Sequence, residues 1–295
     1  MIIAVTGSSG SIGKELLPFL HSLGHQVIEI SSTKQSNSKT VFNYDELQNQ
    51  TMNITVDCFI HLASLNSNLA EELIYDEVQL TKTILNAMNH LECKKLIFFS
   101  TAKVYGENSL EEHVFDELSE LNPGCSYSIA KKLCEEEILI KSKDIGFNSI
   151  ILRLPPFLNK SKSSNLGKLV NLANQGYPMI SLAHGNFNKR SFISMNNIKI
   201  VIEFLIKNSN IHLQNEIFNL SDDKYVSLNH LLASINKRRV YIAPVAISKF
   251  IFNIPFLRSF LMKLFGNFML NNKKLKSHMN VKLTSTIESL SIIFK

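Results

Sequence analysis

Several features are absent from this sequence of 295 residues, and each absence excludes a class of protein. It contains no run of eighteen apolar residues, so we expect no transmembrane helix. Cys58, Cys93, Cys125 and Cys134 show no CxxC spacing, which argues against a zinc site or a disulfide framework. No basic leader with a cleavage site precedes the first apolar run, and no internal repeat occurs. We therefore expect a cytoplasmic globular protein without a bound metal.

A modest excess of positive charge leaves the class of partner open. The chain has 31 Lys and Arg residues against 25 Asp and Glu residues, and from Val245 onward its cations face one acid, Glu288. Such an excess suits nucleic acid, membrane lipid or a phosphorylated small molecule. The aromatic-rich basic face of single-stranded RNA binders is missing, so we expect no nucleic acid. Residues 250–270 predict two short amphipathic helices on the substrate side, in preference to a membrane-surface helix.

A glycine-rich turn near the N-terminus predicts a dinucleotide site. Thr6 to Gly13 read TGSSGSIG, follow the apolar run Met1–Val5 and precede Lys14–Leu23, whose leucines form a helical stripe. Glycines spaced three apart allow a tight turn, a close approach to a pyrophosphate and close packing of helix on strand. The helix N-terminus then favours the bound anion. Pro18 is expected to kink this helix or to remove a hydrogen bond from it.

Strands and helices alternate along the following residues. The pattern predicts strands at 27–30, 41–42, 56–62 and 95–100, helices at 45–50, 71–91 and 126–143, and a later strand in EIFNL. This order indicates an α/β fold with a doubly wound parallel sheet. Ligands of such sheets bind at the carboxyl ends of the strands, where Ser100–Gly106 lies. His61, at another strand end, is interpreted as a packed core residue.

The end of the second predicted strand bears on the choice of cofactor. An acidic residue usually binds the adenosine ribose hydroxyls at this point. Here the chain reads Ser31, Ser32, Thr33 and Lys34, and Glu29 comes two residues early. Small hydroxyls and a lysine suit a 2′-phosphate better than an acid does. The sequence therefore favours NADP slightly, and NAD remains the alternative.

Tyr127 and Lys131 are separated by one helical turn and so share a helix face. A tyrosine that exchanges a proton near neutrality needs its pKa lowered from about 10, and three units correspond to roughly 4 kcal/mol. A lysine one turn away, together with an oxidised nicotinamide, can supply that stabilisation of the phenolate. The alternative is an exposed pair on a helix surface.

Together, the motifs resemble those of a known family. The glycine turn, HLAS, FFSTAKVYG, YSIAK, LRLPP and KRSFI occur in the order typical of extended short-chain dehydrogenase/reductases of the NAD-dependent epimerase/dehydratase family, which act on nucleotide sugars. The resemblance covers nearly the whole chain. It implies a Rossmann domain of residues 1–153 and 191–220 and a smaller, C-terminal substrate-binding domain of residues 154–190 and 221–295.

The resemblance also implies roles for individual residues. Thr101 would hold the substrate hydroxyl or carbonyl, Tyr127 would be the acid/base, and Lys131 would bind the nicotinamide ribose. Asn165 and Arg190 would contact the nucleotide diphosphate, a group that suits the guanidinium geometry. The expected cofactor contacts also include Gly7, Ser9, Gly10, Ser11, Ile12, Gly13, Ser31, Ser32, Lys34, Leu62, Ala63, Ser64 and Pro155.

Within this family the residues after Thr101 indicate the reaction. Sugar 4,6-dehydratases carry an acidic pair there, whereas this chain has Ala102 and Lys103, so dehydration is not expected. The chain is most similar to bacterial reductases of UDP-4-keto-6-deoxy-N-acetylhexosamines, which serve surface polysaccharide synthesis. An NAD-dependent UDP-sugar 4-epimerase is the alternative, followed by a non-catalytic or RNA-associated relative. The expected partner is a nucleotide sugar, and a homodimer is left open.

Overall fold

The computed structural model describes most of the chain. The described residues are 1–32, 40–50, 52, 54–65, 69–109, 111–159, 168, 171–173, 175–177, 179–181, 188–208, 213–235, 240–242, 244, 251, 253–254, 256, 261–262 and 266–293. The chain divides into two compact units, one of Met1–Val104, Leu121–Arg153 and Ile202–Phe218, the other of Tyr105–Glu120, Leu154–Val201 and Asn219–Lys295. Within the described ranges, no helix is both long and apolar enough to cross a membrane.

The described residues form strands and helices in the following order along the chain. The strands are β1 (Ile2–Thr6), β2 (Gln26–Ser31), β3 (Val41–Asn43), β4 (Cys58–His61), β5 (Lys95–Thr101), β6 (Val114–Phe115), β7 (Asn148–Leu154), β8 (Met179–Ser181), β9 (Lys189–Arg190), β10 (Glu216–Asn219), β11 (Val226–Ser227), β12 (Val240–Ile242) and β13 (Met269–Leu270). The α-helices are α1 (Gly13–Ser22), α2 (Tyr44–Gln48), α3 (Ile74–His90), α4 (Ser126–Ile145), α5 (Met195–Lys207), α6 (Leu228–Ile235), α7 (Lys273–Met279) and α8 (Thr286–Ile293). Short 3-10 turns lie at Glu71–Leu73 and Ala102–Tyr105.

A seven-stranded parallel sheet forms the centre of the first unit. Its strand order is β10-β7-β5-β4-β1-β2-β3. Thr6 at the end of β1 lies opposite Ile30 of β2 on one side and His61 of β4 on the other. All residues of β4 and β5 are buried, as expected of parallel strands covered on both faces by helices. The strand order reverses between β1 and β4, which is where sheets of this kind bind their ligands.

The predicted α/β doubly wound fold is confirmed. The predicted ends of the first five strands differ from the observed ends by no more than two residues. Helix α1 continues as one element of 10 residues with Pro18 inside it. The two helices predicted across residues 250–270 lie largely outside the described residues.

The second unit contains short strand pairs and its own apolar cluster. β9 pairs antiparallel with β11, while β8 with β12 and β6 with β13 are parallel. The apolar cluster is formed by Leu158, Ala173, Phe192, Val226, Leu231, Leu232 and Leu290. Residues 105–120, 191–201 and 219–220 belong to this unit, although the sequence-based division assigned them to the Rossmann domain. The assignment of the two units to cofactor and substrate stays a prediction.

Candidate active site

The glycine turn after β1 has the geometry that the spacing predicted. Gly7 has a φ of +73°, in the left-handed region that favours glycine. A Cβ at Gly7 would lie 2.7 Å from the backbone nitrogen of Ala63, so the turn passes directly against the loop after β4. The Gly10 amide donates a hydrogen bond to the Gly7 carbonyl at 3.1 Å and closes the turn.

Gly13 begins α1 at a position with no room for a side chain. A Cβ there would lie 2.4 Å from the Gly7 carbonyl oxygen and 2.5 Å from that of Ser8. Ser9, Gly10 and Ser11, by contrast, are exposed at the N-terminal end of the helix. Their backbone is therefore accessible to a ligand at the helix end where N–H groups and the helix dipole favour an anion.

The loop after β4 contains the next predicted cofactor contacts. The amide of Ala63 donates a hydrogen bond to Thr6 Oγ1 at 3.2 Å, which fixes this loop to the end of β1. Leu62, Ala63 and Ser64 are partly buried. Ser64 Oγ is buried and has no hydrogen-bond partner among the described residues, as expected of a group that bonds to a bound molecule.

Thr101, Tyr127 and Lys131 come together in the first unit. Thr101 ends β5, where its hydroxyl accepts a hydrogen bond from the Lys103 amide at 3.3 Å and its side chain also bonds to Tyr127. Tyr127 and Lys131 lie one turn apart on α4, which begins at Ser126 after a cap in which the Cys125 amide donates to Ser128 Oγ. Proton exchange between a tyrosine and a ligand near Thr101 is chemically feasible in this arrangement.

Lys131 is an almost fully buried cation. Its Nζ lies 3.0 Å from Glu77 Oε1 of α3, and both side chains are 1% exposed. It also lies 4.8 Å from the centre of the Phe98 ring, a cation–π distance. Among the described residues, no group meets the angles of a hydrogen bond to Lys131 Nζ, so the Glu77 contact is an ion pair with donor capacity to spare.

The pKa values at this site follow from burial and from the ion pair. Burial alone would lower the pKa of Lys131, but Glu77 and Tyr127 outweigh it and the pKa is raised. Burial is the largest cause of a raised pKa at Tyr127; Lys131 opposes it and Glu77 adds to it. The sequence-based expectation was that Lys131 and an oxidised nicotinamide together lower the Tyr127 pKa. The effect of Lys131 has the expected direction, and the joint effect stays a prediction.

His61 belongs to a buried network of hydroxyl groups beneath the site. Its Nδ1 lies 2.7 Å from Thr6 Oγ1 and its Nε2 lies 3.3 Å from Thr81 Oγ1. Burial, followed by the charge of Lys131, holds its pKa well below the usual value, so the ring is neutral. The interpretation of His61 as a packed core residue is confirmed by its exposure of 1%.

Of the residues predicted to contact the adenosine ribose, the structure describes Ser31 and Ser32. Ser31 is the last residue of β2, lies opposite Asn43 of β3 and is partly buried, while Ser32 is exposed. Lys34 lies outside the described residues, as does Asn165 of the predicted diphosphate site. Their parts in binding stay predictions.

Two further predicted contacts belong to the second unit. Pro155 is buried and directly follows β7. Arg190 lies in β9, where its Nε donates a hydrogen bond to the Gly266 carbonyl at 3.0 Å. Burial lowers the pKa of Arg190 to about 10, which leaves the guanidinium charged at neutral pH. A partly buried cation of this kind suits an anionic group, and its role stays a prediction.

Sequence reasoning missed Glu77 and Tyr44. Glu77 accepts a hydrogen bond from the Leu65 amide at 2.7 Å in addition to its ion pair with Lys131. Tyr44 bonds to the Thr6 side chain, and burial, with a contribution from Glu77, raises its pKa to about 12. In the sequence, Glu77 is an acidic residue near the start of a predicted helix that contains apolar residues. This pattern is common in helices and does not identify a functional residue.

Comparison with known proteins agrees with this geometry. A profile described as the NAD-dependent epimerase/dehydratase family matches residues 3–221. A UDP-glucose 4-epimerase of Vibrio cholerae is 25% identical over 248 residues, which is 79% of this chain and 74% of that protein. The UDP-N-acetylglucosamine 4-epimerase structure from Bacillus cereus has a TM-score of 0.77 at 17% identity, covering 100% of this chain and 98% of the other. A Bacillus cereus UDP-glucuronic acid 4-epimerase in complex with NAD gives 0.74 at 16% identity, covering 98% and 93%.

Proposed function

The chain belongs to the NAD-dependent epimerase/dehydratase family, and from that premise we propose that it reduces the 4-keto group of a UDP-activated 6-deoxy-N-acetylhexosamine with NAD(P)H. The product would be a precursor of surface polysaccharide. The observation that supports this proposal is the arrangement of Tyr127, a candidate proton donor, bonded to Thr101 and beside the cation of Lys131. Because burial and Glu77 raise the pKa of Tyr127, the phenol is protonated at neutral pH and can donate to a ketone oxygen.

Three residues of the first unit have separate roles in the proposed reaction. The Thr101 hydroxyl, at the end of β5, holds the substrate oxygen through a hydrogen bond. Tyr127, bonded to Thr101, gives its proton to that oxygen as the ketone becomes an alcohol. Lys131, buried beside Tyr127, stabilises the phenolate that remains.

The site has the features that a nicotinamide dinucleotide requires. The turn from Gly7 to Gly13 leaves no room for a Cβ at either end and would hold the pyrophosphate. Lys131 Nζ and Ser64 Oγ are buried donors that lack a hydrogen-bond partner among the described residues, and they would bond to the cofactor. A reduced nicotinamide bound there would supply the hydride for the substrate carbon.

A 2′-phosphate is compatible with the ribose end of this site. Ser31 closes β2 with a small hydroxyl, and the acid that would repel a phosphate is missing at this position. We therefore propose that NADPH is used at least as well as NADH. The ratio of kcat/KM for the two cofactors measures this directly, and a strong preference for NADH would contradict it.

An NAD-dependent UDP-sugar 4-epimerase is the second candidate. It is favoured by the Vibrio cholerae relative, which is a UDP-glucose 4-epimerase. An epimerase must remove a proton from the sugar hydroxyl before returning it, so it needs Tyr127 as a phenolate at the start of the reaction. A ketone reductase, by contrast, starts from the protonated phenol, so the two candidates differ in the form of Tyr127 that they require.

Two assays on the purified protein separate the candidates. In the first, a UDP-4-keto-6-deoxy-N-acetylhexosamine, generated in place by a dehydratase, is mixed with NADPH or NADH and the reduced cofactor is followed by absorbance. In the second, UDP-N-acetylglucosamine is incubated without added cofactor and the products are separated by chromatography. We expect stoichiometric cofactor oxidation in the first assay. Conversion to UDP-N-acetylgalactosamine in the second, with no oxidation in the first, would contradict the reductase proposal.

A further inference from the structure

Glu77 joins three elements of the candidate site from within the protein interior. One carboxylate oxygen lies 3.0 Å from Lys131 Nζ on α4, and the other accepts a hydrogen bond from the Leu65 amide at 2.7 Å. The side chain is 1% exposed. Leu65 directly follows Leu62–Ser64, the loop that is proposed to contact the cofactor. Glu77 on α3 therefore holds both the catalytic lysine and this loop.

A buried carboxylate in this position costs free energy unless it is paired. Removing either member of such a pair leaves an uncompensated charge in the protein interior. Here the pair also changes the charge that Tyr127 experiences, because a lysine alone would present a full positive charge to the phenol. With Glu77 beside it, the net charge next to Tyr127 is close to zero, and less of the phenolate is stabilised.

We infer that Glu77 is a positioning residue that neutralises Lys131 and thereby keeps Tyr127 in the protonated form that donates to a ketone. The inference rests on the proposed ketone reduction, since an enzyme that starts from a phenolate would gain nothing from it. Glu77 acts through Lys131 and Tyr127 and has no direct role toward the substrate.

Other groups also face this pair, and each is accounted for. The titratable or hydrogen-bonding side chains that interact with Tyr127, Lys131 or Glu77 come from α2, α3, α4, the residue before α4 and the ends of β4 and β5. Within the described part of the chain they are Tyr44, His61, Thr81, Thr101, Cys125 and Cys134. Of these, His61 is neutral, and burial raises the pKa values of Tyr44 and Cys134. Glu77 is therefore the anion that balances Lys131.

The test is the pH profile of ketone reduction by Glu77→Gln. Glutamine keeps an acceptor for the Leu65 amide but removes the negative charge. At any pH below the pKa of Lys131, which is itself lowered by the loss of Glu77, the charged lysine should then stabilise the phenolate more strongly. We expect the alkaline limb of kcat/KM to move to lower pH by about one unit or more, a tenfold change in the ionisation constant. If Glu77→Gln does not fold, Glu77→Asn tests the same point with a smaller amide. Glu77→Asp retains the charge and should leave the limb near its wild-type position.

A matched control comes from α4, the helix that also contains Lys131. Glu135 of α4 forms a second buried ion pair, with its Oε2 lying 2.6 Å from Arg153 Nη2. Glu135→Gln also removes a buried, paired carboxylate and should lower the melting temperature, but it should not move the alkaline limb. An unmoved limb in Glu77→Gln, or an equal shift in Glu135→Gln, would overturn the inference and leave Glu77 with a structural role only.

A measurement without substrate separates this inference from the proposed function. The ultraviolet absorbance of phenolate is followed against pH for the wild type and for Glu77→Gln. The curve of Tyr127→Phe is subtracted from the first, and that of the Glu77→Gln, Tyr127→Phe double variant from the second. The difference isolates one of the 7 tyrosines. A lower Tyr127 pKa in Glu77→Gln without any turnover of 4-keto sugars would contradict the reduction and support the role of Glu77. Turnover of the 4-keto sugar without a lower Tyr127 pKa in Glu77→Gln would support the reduction and contradict the role of Glu77.

Discussion

Replacing Gly10 or Gly13 by alanine separates the structural and the ligand-binding parts of the glycine turn. An added Cβ at Gly10 would meet one atom, the Gly7 carbonyl oxygen, at 3.2 Å, and Gly10 does not have a positive φ. A shift of a few tenths of an ångström relieves that contact. The reduced flexibility of the unfolded chain offsets the cost, so we expect a stability change within about 1 kcal/mol.

The same change at Gly13 is far more severe for the fold. Its Cβ would lie 2.4 Å and 2.5 Å from the carbonyl oxygens of Gly7 and Ser8, both of which are backbone atoms. The turn must move to admit the methyl group, at a cost of about 1–3 kcal/mol by analogy with overpacked cores. We therefore expect Gly13→Ala to lose stability and cofactor binding together.

Gly10→Ala should lose cofactor binding alone. Its methyl group would occupy the exposed surface where the pyrophosphate approaches the backbone. We expect the dissociation constant for NADH or NADPH to rise at least tenfold, which is about 1.4 kcal/mol. Calorimetric titration gives the affinity, and melting with and without cofactor gives the stability. Wild-type affinity in a folded Gly10→Ala protein would refute the assignment of this turn to the cofactor.

Three other substitutions test the roles of single residues. Tyr127→Phe should keep cofactor binding but lower kcat at least a hundredfold, since the phenol is the proton donor; near-normal turnover would remove Tyr127 from the mechanism. Ser31→Asp should shift the kcat/KM ratio towards NADH by repelling the 2′-phosphate, and an unchanged ratio would show that Ser31 is not at the ribose. Arg190→Ala should raise the sugar-nucleotide KM at least tenfold, about 1.4 kcal/mol, with cofactor affinity unchanged. Charge reversal at Lys273 is the control, and it should change this KM only slightly. A large KM effect at Lys273 with none at Arg190 would contradict the diphosphate role of Arg190.

Local sequence patterns were sufficient to predict the strands of the sheet and the glycine turn after β1. The apolar run before Gly7 and the leucine stripe after Gly13 place a strand and a helix on either side of the turn, and the observed β1 and α1 agree within one residue. Tyr127 and Lys131 were also found locally, since a helical turn fixes their relation. These predictions depend on neighbours in sequence, which periodicity reports directly.

The parts that were missed depend on long-range contacts. Glu77 and Lys131 are 54 residues apart, and no spacing rule relates α3 to α4. The burial of Tyr127 and its interaction with Glu77, which both raise the pKa of the phenol, were therefore also missed. Residues 105–120 join the second unit through pairing of β6 with β13, more than a hundred residues away, which local patterns also do not report.

The fate of a deuterium label tests the central claim most directly. NADPH or NADH carrying deuterium at the transferred position is incubated with the UDP-4-keto-6-deoxy-N-acetylhexosamine and the protein, and the sugar product is examined by NMR and mass spectrometry. The account predicts deuterium at C4 of one sugar epimer and one equivalent of oxidised cofactor for each product molecule. Unlabelled product from UDP-N-acetylglucosamine, formed without net oxidation of added cofactor while the labelled keto sugar stays unreduced, would contradict it.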